Sequence, residues 1–141
     1  MTAEIMTALD LVLNPFVLMV ILASCIYGLF IGAIPGLTAT MSVALLVPIT
    51  FFLDPVPAIA AIVSTTATAI FAGDIPGCLL RMPGTPASAA YVDESYALTQ
   101  KGKSEIALSA SLIGAVLGGI LGVALLMVFA AQLARFAVRF S

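Results

Sequence analysis

The stretch "RMPGTPASAAYVDES", residues 81–95, decides how this chain is to be read. An earlier stretch, "GAIPGLTATMS", residues 32–42, has the same grammar: Pro-Gly, then threonine and small residues. Both sit among segments apolar enough for lipid. Of 141 residues, 62% are hydrophobic and 9% charged, and the mean hydropathy is +1.24. A soluble domain carries about 25% charged residues to cover its surface. This chain cannot do so, and belongs in a lipid bilayer. Backbone N–H and C=O groups left unpaired in hydrocarbon cost several kcal/mol each. Two helix-breaking Pro-Gly pairs there need a physical reason.

Working outward, spanning segments of about 20 apolar residues can be marked. Residues 16–34 are the first, opened by Asn14-Pro15, an N-cap followed by proline at the first helical position. Residues 37–53 are the second, kinked or tilted at Pro48. Asp54-Pro55 repeats the start signal ahead of a third, residues 57–73, which holds the hydroxyl-rich run "STTAT", residues 64–68. Residues 75–92 contain Pro76, Gly77, Pro83, Gly84 and Pro86 and cannot form one straight helix. They suit two short arms of a re-entrant hairpin. Gly102 reads as the left-handed cap of a helix end, and Ser104 can cap the helix that follows. In that last span, residues 106–131, Gly114, Gly118 and Gly122 form small-xxx-small faces for close helix packing, or a hinge.

The predicted fold is therefore an all-α integral membrane protein with several transmembrane helices and Pro-Gly-broken or re-entrant segments. Residues 1–141 read as one membrane domain. Residues 1–14 form an interfacial segment, 15–92 the spans and broken helices, 93–105 a polar loop, and 106–141 a glycine-rich span with an amphipathic end. Lys101 and Lys103 favour a cytoplasmic loop. Arg135 and Arg139, beyond the next span, favour the same side, so orientation stays open.

Composition excludes several functions. A net charge of −2 gives no footprint for nucleic acid. There is no histidine, the commonest general base and metal ligand. Cys25 and Cys78 lie in apolar runs and read as small buried hydrophobes. No phosphate loop or zinc pattern appears. The expectation is a protein that is not an enzyme, with no catalytic residue, metal site or cofactor.

A plain turn between two spans would explain Pro35-Gly36. The second break offers more, because Thr85 is a natural N-cap, Pro86 fits the first helical position, and Ser88 falls in the first turn. The free N–H groups of such a terminus can hold an anion. At the first break, Gly36 permits close approach, and Thr38 and Thr40 bring hydroxyls to the next helix start. Discontinuous helices whose half-helix N-termini face an anionic substrate are a transporter device. Pro35, Gly36, Thr38 and Thr40 are thus candidate substrate residues, together with Pro83, Gly84, Thr85, Pro86 and Ser88. Arg81 is the candidate cation for a carboxylate. Asp74 stands seven residues before Arg81, where it can pair with it or serve a coupling ion. Thr65, Thr66 and Thr68 can offer oxygen to a hard cation such as sodium, or bond to carbonyls of the preceding turn.

At these residues a family resemblance appears. "GLFIGAIPGLTATMSVALLVPITFFLDP", residues 28–55, resembles the start of the large membrane subunit, TctA, of tripartite tricarboxylate transporters. "MPGTPASAA", residues 82–90, is similar to that family's second Pro-Gly motif. "KGKSEIALSASLIGAVLGG", residues 101–119, resembles its basic loop and glycine-rich helix. The family's motif positions fall on Gly32, Pro35, Gly36, Leu37, Thr38 and Thr40, and on Pro83 through Ala87. The chain departs from the family's usual residues at Asp74-Ile75-Pro76-Gly77, at Arg81, and at Asp93-Glu94-Ser95-Tyr96. The resemblance implies one half of an inverted-repeat carrier in the bacterial inner membrane, with this chain as its N-terminal part. It implies carboxylate substrates such as citrate and a drive by Na+ or H+. It also implies two partners: a small TctB-like membrane subunit and a periplasmic TctC-like solute-binding protein. A reading from another class is a non-transporting scaffold subunit. There the breaks are plain turns and the glycine face is an assembly seam.

Overall fold

The computed structural model describes the backbone of residues 2–138 and the side chains of residues 6–130. Seven α-helices follow one another, with one short 3-10 turn and no strand among the described residues. They are α1 (Thr2–Val12), α2 (Pro15–Gly32), α3 (Ala39–Thr50), α4 (Pro55–Ala72), α5 (Asp74–Leu80), α6 (Val92–Gln100) and α7 (Ser104–Val138); the 3-10 turn is Ser88–Ala90. Residues up to Leu108 pack as one unit, and the remainder of α7, from Ser109 on, forms another.

Among the described residues, three helices are long and apolar enough to cross a membrane: Pro15–Gly32, Pro55–Leu80 and Ser104–Ala130. The second of them joins α4 to α5. At 1.5 Å per residue its 26 residues reach about 39 Å. The sequence also suggested a span at residues 37–53. The helix there is shorter, 12 residues or about 18 Å, against a hydrocarbon core of about 30 Å. It keeps Pro48 inside and gives way after Thr50 to turn backbone at exposed Phe51 and Phe52.

The helix starts follow their local chemistry. Asn14 Oδ1 accepts the Phe16 N–H at 2.9 Å, with Pro15 at the first position of α2. Thr38 Oγ1 accepts the Met41 N–H at 3.3 Å and caps α3. Asp54 precedes Pro55 at the start of α4 without a capping side-chain bond. Gly102, at φ +71, ends α6 as expected. There the Lys103 N–H reaches the Leu98 carbonyl at 2.9 Å and the Gly102 N–H the Thr99 carbonyl at 2.9 Å, the Schellman pattern. The polar stretch 93–105 is thus mostly helix, not loop. The amphipathic end falls largely outside the described residues: of the side chains of Arg135 and Arg139 nothing is described.

The core of the first unit is a seam between α2 and α4. Ser24, Gly28 and Gly32 bury on α2, and Ala61, Thr65 and Ala69 on α4, each set four residues apart. The Thr65 hydroxyl crosses the seam and donates to the Ser24 carbonyl at 3.3 Å. A Cβ on Gly28 would collide with Thr68 Oγ1 and stand 2.7 Å from the Thr65 carbonyl oxygen. One on Gly32 would collide with the Ala69 carbonyl oxygen and stand 2.7 Å from Ala69 Cα. Lipid gives helices no hydrophobic reason to associate, so close contact between small residues supplies the attraction. The large apolar side chains point outward: Met19, Leu22, Ile26 and Phe30 on α2, Ile59 and Val63 on α4. The small-xxx-small face that the sequence marked at Gly114, Gly118 and Gly122 lies in the other unit.

This seam sets a stability test. Gly32→Val drives a side chain into the α4 backbone and is expected to cost about 1–3 kcal/mol or more, as overpacking does. Ala67→Val adds similar bulk on an exposed position of α4 and should leave stability unchanged. Thermal unfolding in detergent reads both. Equal midpoints for the two variants would contradict the seam.

Candidate functional site

The two Pro-Gly breaks are built differently. At the first, Pro35 and Gly36 are the central residues of a turn, and the Leu37 N–H reaches the Ile34 carbonyl at 3.1 Å. Gly36 has φ +91, which the third position of a type II turn requires and a side chain resists. Here the plain turn reading holds. Its effect is to start α3 at once, with Thr38 as cap and Thr40 in the first turn. That first turn is fastened to α2. Ser42 is fully buried, its hydroxyl donates to the Thr38 carbonyl at 3.2 Å, and Tyr27 Oη donates to the Ser42 carbonyl at 3.1 Å.

The second break closes on itself. Pro76 has no N–H to give to the carbonyl four residues back, which interrupts the ladder where α4 passes into α5. The chain turns at Arg81, which takes the left-handed conformation at φ 58 and ψ 30. It then returns without regular helix through residues 82–87. The Gly84 N–H donates to the Gly73 carbonyl at 3.2 Å. The two glycines lie backbone against backbone: a Cβ on Gly84 would stand 2.7 Å from Gly73 Cα. The hairpin foreseen at residues 75–92 therefore has one helical arm, α5, and one irregular arm that ends in the 3-10 turn.

Thr85 and Ser88 form a reciprocal cap on that turn. Thr85 Oγ1 accepts the Ser88 N–H at 3.1 Å, and Ser88 Oγ accepts the Thr85 N–H at 3.1 Å. Ser88 Oγ also donates to the Thr85 carbonyl at 2.9 Å. This is the capping-box geometry with serine in place of glutamate. Ser88 is fully buried, and its hydroxyl is spent on the loop.

Between the breaks lies a pocket of about 340 Å³. One wall is Thr38, Ala39 and Thr40, at the start of α3. The facing wall is the return arm, Gly84 to Ala87, and Ile70 of α4 also lines the space. Threonines singled out in the two separate motifs thus meet at one cavity. Pro35, Gly36, Pro83, Ser88 and Arg81 do not line it. Ile70, Ala39 and the ties at Tyr27, Ser42 and Tyr91 escaped the sequence reading, which fixed on the prolines, glycines and threonines of the two breaks.

The charged and hydroxyl candidates disperse. Arg81 does not pair with Asp74. Its Nε donates to Asp93 Oδ1 at 2.8 Å on an exposed surface. That hydrogen bond, helped by the Asp93 charge, raises the guanidinium above its already high value. Asp74 is buried, and its Oδ1 accepts from Tyr91 Oη at 2.8 Å. Thr66 donates to the Ile62 carbonyl at 2.7 Å and Thr68 to the Ser64 carbonyl at 2.8 Å, one turn back. Thr65 bonds across to α2, and Thr68 also reaches the Thr65 carbonyl at 3.3 Å. Among the described residues no cluster of His, Cys, Asp or Glu is arranged to hold a metal.

Among the described residues, three helices long and apolar enough to cross a membrane define a membrane protein. The chain belongs to the Tripartite tricarboxylate transporter TctA family, whose model it matches over residues 18–141. It is also 30% identical over 113 residues to an Agrobacterium vitis protein described as "Uncharacterized 52.8 kDa protein in TAR-I ttuC' 3'region". That match covers 80% of this chain and 22% of the relative, so the chain spans about a fifth of the relative's length. No solved structure matches.

The local geometry predicts which substitutions disturb the return arm. Gly84→Ala forces the Gly73 backbone away and is expected to cost about 1–3 kcal/mol. Ser88→Ala removes half of the reciprocal cap, worth about 1 kcal/mol. Thermal unfolding of the purified variants measures both, and a Gly84→Ala protein as stable as the parent would contradict the glycine contact.

Proposed function

We propose that this chain builds part of the substrate path of a binding-protein-dependent, ion-coupled carboxylate carrier in the bacterial inner membrane. The observation that carries this reading is the pocket shared by the start of α3 and the return arm. Its polar groups are threonine hydroxyls and the first N–H groups of a helix, which suit a carboxylate oxygen. Ile70, Pro86 and Ala87 suit a short carbon skeleton. Family membership supports tricarboxylates or related carboxylates as substrates, with a TctB-like membrane subunit and a TctC-like periplasmic binding protein as partners. Coupling to Na+ or H+ belongs to the same reading. The scaffold reading makes the threonines indifferent, and their convergence on one cavity weighs against it.

The test uses the complete permease with its partner subunits and follows initial rates of labelled citrate and other carboxylates. Thr40→Val removes a hydroxyl from one wall, and Ile70→Trp fills the space. Each is expected to raise KM about tenfold or more, the scale of a lost hydrogen bond to a charged group, while expression persists. Uptake at the parental KM in both variants would refute the pocket.

A further inference from the structure

We infer that Asp74 and Tyr91 are positioning residues: their hydrogen bond latches the return arm and so sets the second wall of the pocket. The inference rests on the pocket being the substrate site. Asp74 is the first residue of α5 and directly follows Gly73. Tyr91 directly follows the 3-10 turn. The return arm therefore leaves the end of α5 and is tied to the α4–α5 junction at two points. At one, the Gly84 N–H meets the Gly73 carbonyl at 3.2 Å. At the other, Tyr91 Oη meets Asp74 Oδ1 at 2.8 Å. The pocket-lining residues Thr85, Pro86 and Ala87 lie between the two ties.

The bonds between Thr85 and Ser88 stiffen this arm internally but do not hold it to the helices. The ties do. A hydrogen bond from a phenol O–H to a largely buried oxygen is stronger than the same bond in water. Asp74 is only 7% exposed, so water competes weakly for that acceptor. Neither Asp74 nor Tyr91 lines the pocket, so their influence on a substrate passes through the wall. An acceptor oxygen at position 74 is what the latch requires. Asparagine supplies one without charge, which separates this role from ion coupling.

The experiment uses the complete permease with its partners. It combines carboxylate uptake kinetics with hydrogen exchange of the amides at residues 84–91. Tyr91→Phe and Asp74→Ala should speed that exchange and raise KM about tenfold with maximal rate held within about twofold. Asp74→Asn should remain near the parent in both readouts. Where Asp74→Ala fails to fold, Tyr91→Phe and Asp74→Asn decide. Parental exchange and KM in Tyr91→Phe would overturn the latch. Loss of uptake in Asp74→Asn equal to that in Asp74→Ala would overturn it too, since charge and not an acceptor would then be required. Faster exchange in Tyr91→Phe with parental KM leaves the latch standing as a tie and sinks the pocket reading instead.

Discussion

In hydrocarbon an interrupted helix must find partners for the backbone groups it exposes, and here the Gly73 carbonyl finds the Gly84 N–H. The rest of the site depends on that closure. Pro76 withholds an N–H from the Ala72 carbonyl, and at the next residue the Gly73 carbonyl takes the Gly84 N–H from the returning chain. Glycine at position 84 lets the two backbones approach so closely, since a Cβ there would stand 2.7 Å from Gly73 Cα. Once Gly84 is seated, the next residues have nowhere to go but along the junction, and Thr85 starts its reciprocal cap with Ser88 there. The Pro-Gly pair at residues 83–84 is thus a device for bringing a strand of loop to a broken helix. The cavity follows as the space left between that loop and the start of α3.

The same economy of size governs the core. Water does not drive these helices together, so the buried set is not large and apolar. It is small and faintly polar: Ser24, Ser42, Thr65 and Ser88 are buried, beside Ala61, Ala69, Ala72 and the seam glycines. Each buried hydroxyl in this set that reaches another group donates to a backbone carbonyl, as Thr65 does to Ser24 and Ser42 to Thr38. Hydroxyls satisfied this way tighten packing, and in "STTAT" Thr66 and Thr68 bond back to the preceding turn while Thr65 bonds across to α2.

Much of the fold was legible because membrane constraints are coarse. Hydropathy and the Asn14-Pro15 and Asp54-Pro55 starts mark α2 and α4, and Gly102 marks the end of α6. What escaped the sequence was pairing. Gly28 and Gly32 form a small-xxx-small face, yet only contact with α4 reveals it as the seam. The length of α3 was overstated, because apolar side chains at Phe51 and Phe52 extend the hydropathy beyond the helix that carries them. At the site, motif spacing found Thr38, Thr40, Gly84, Thr85 and Pro86. It could not find Tyr27 or Tyr91, which act from other elements. Asp74 and Arg81 share a helical face only if the helix continues, and the left-handed turn at Arg81 ends it.

The two walls of the pocket therefore differ in kind. The first belongs to a 12-residue helix whose opening turn is capped by Thr38 and fastened to α2 through Tyr27 and Ser42. Moving it means moving a helix. The second is a short arm with little regular structure, stiffened within by Thr85 and Ser88 and tied to the α4–α5 junction at Gly73 and Asp74. Segments with few backbone bonds to the core open at lower free energy than helices packed on helices. A change in the width of the pocket accordingly costs least at residues 84–87. The shape of the pocket is then governed as much by what holds that arm as by the threonines that line it.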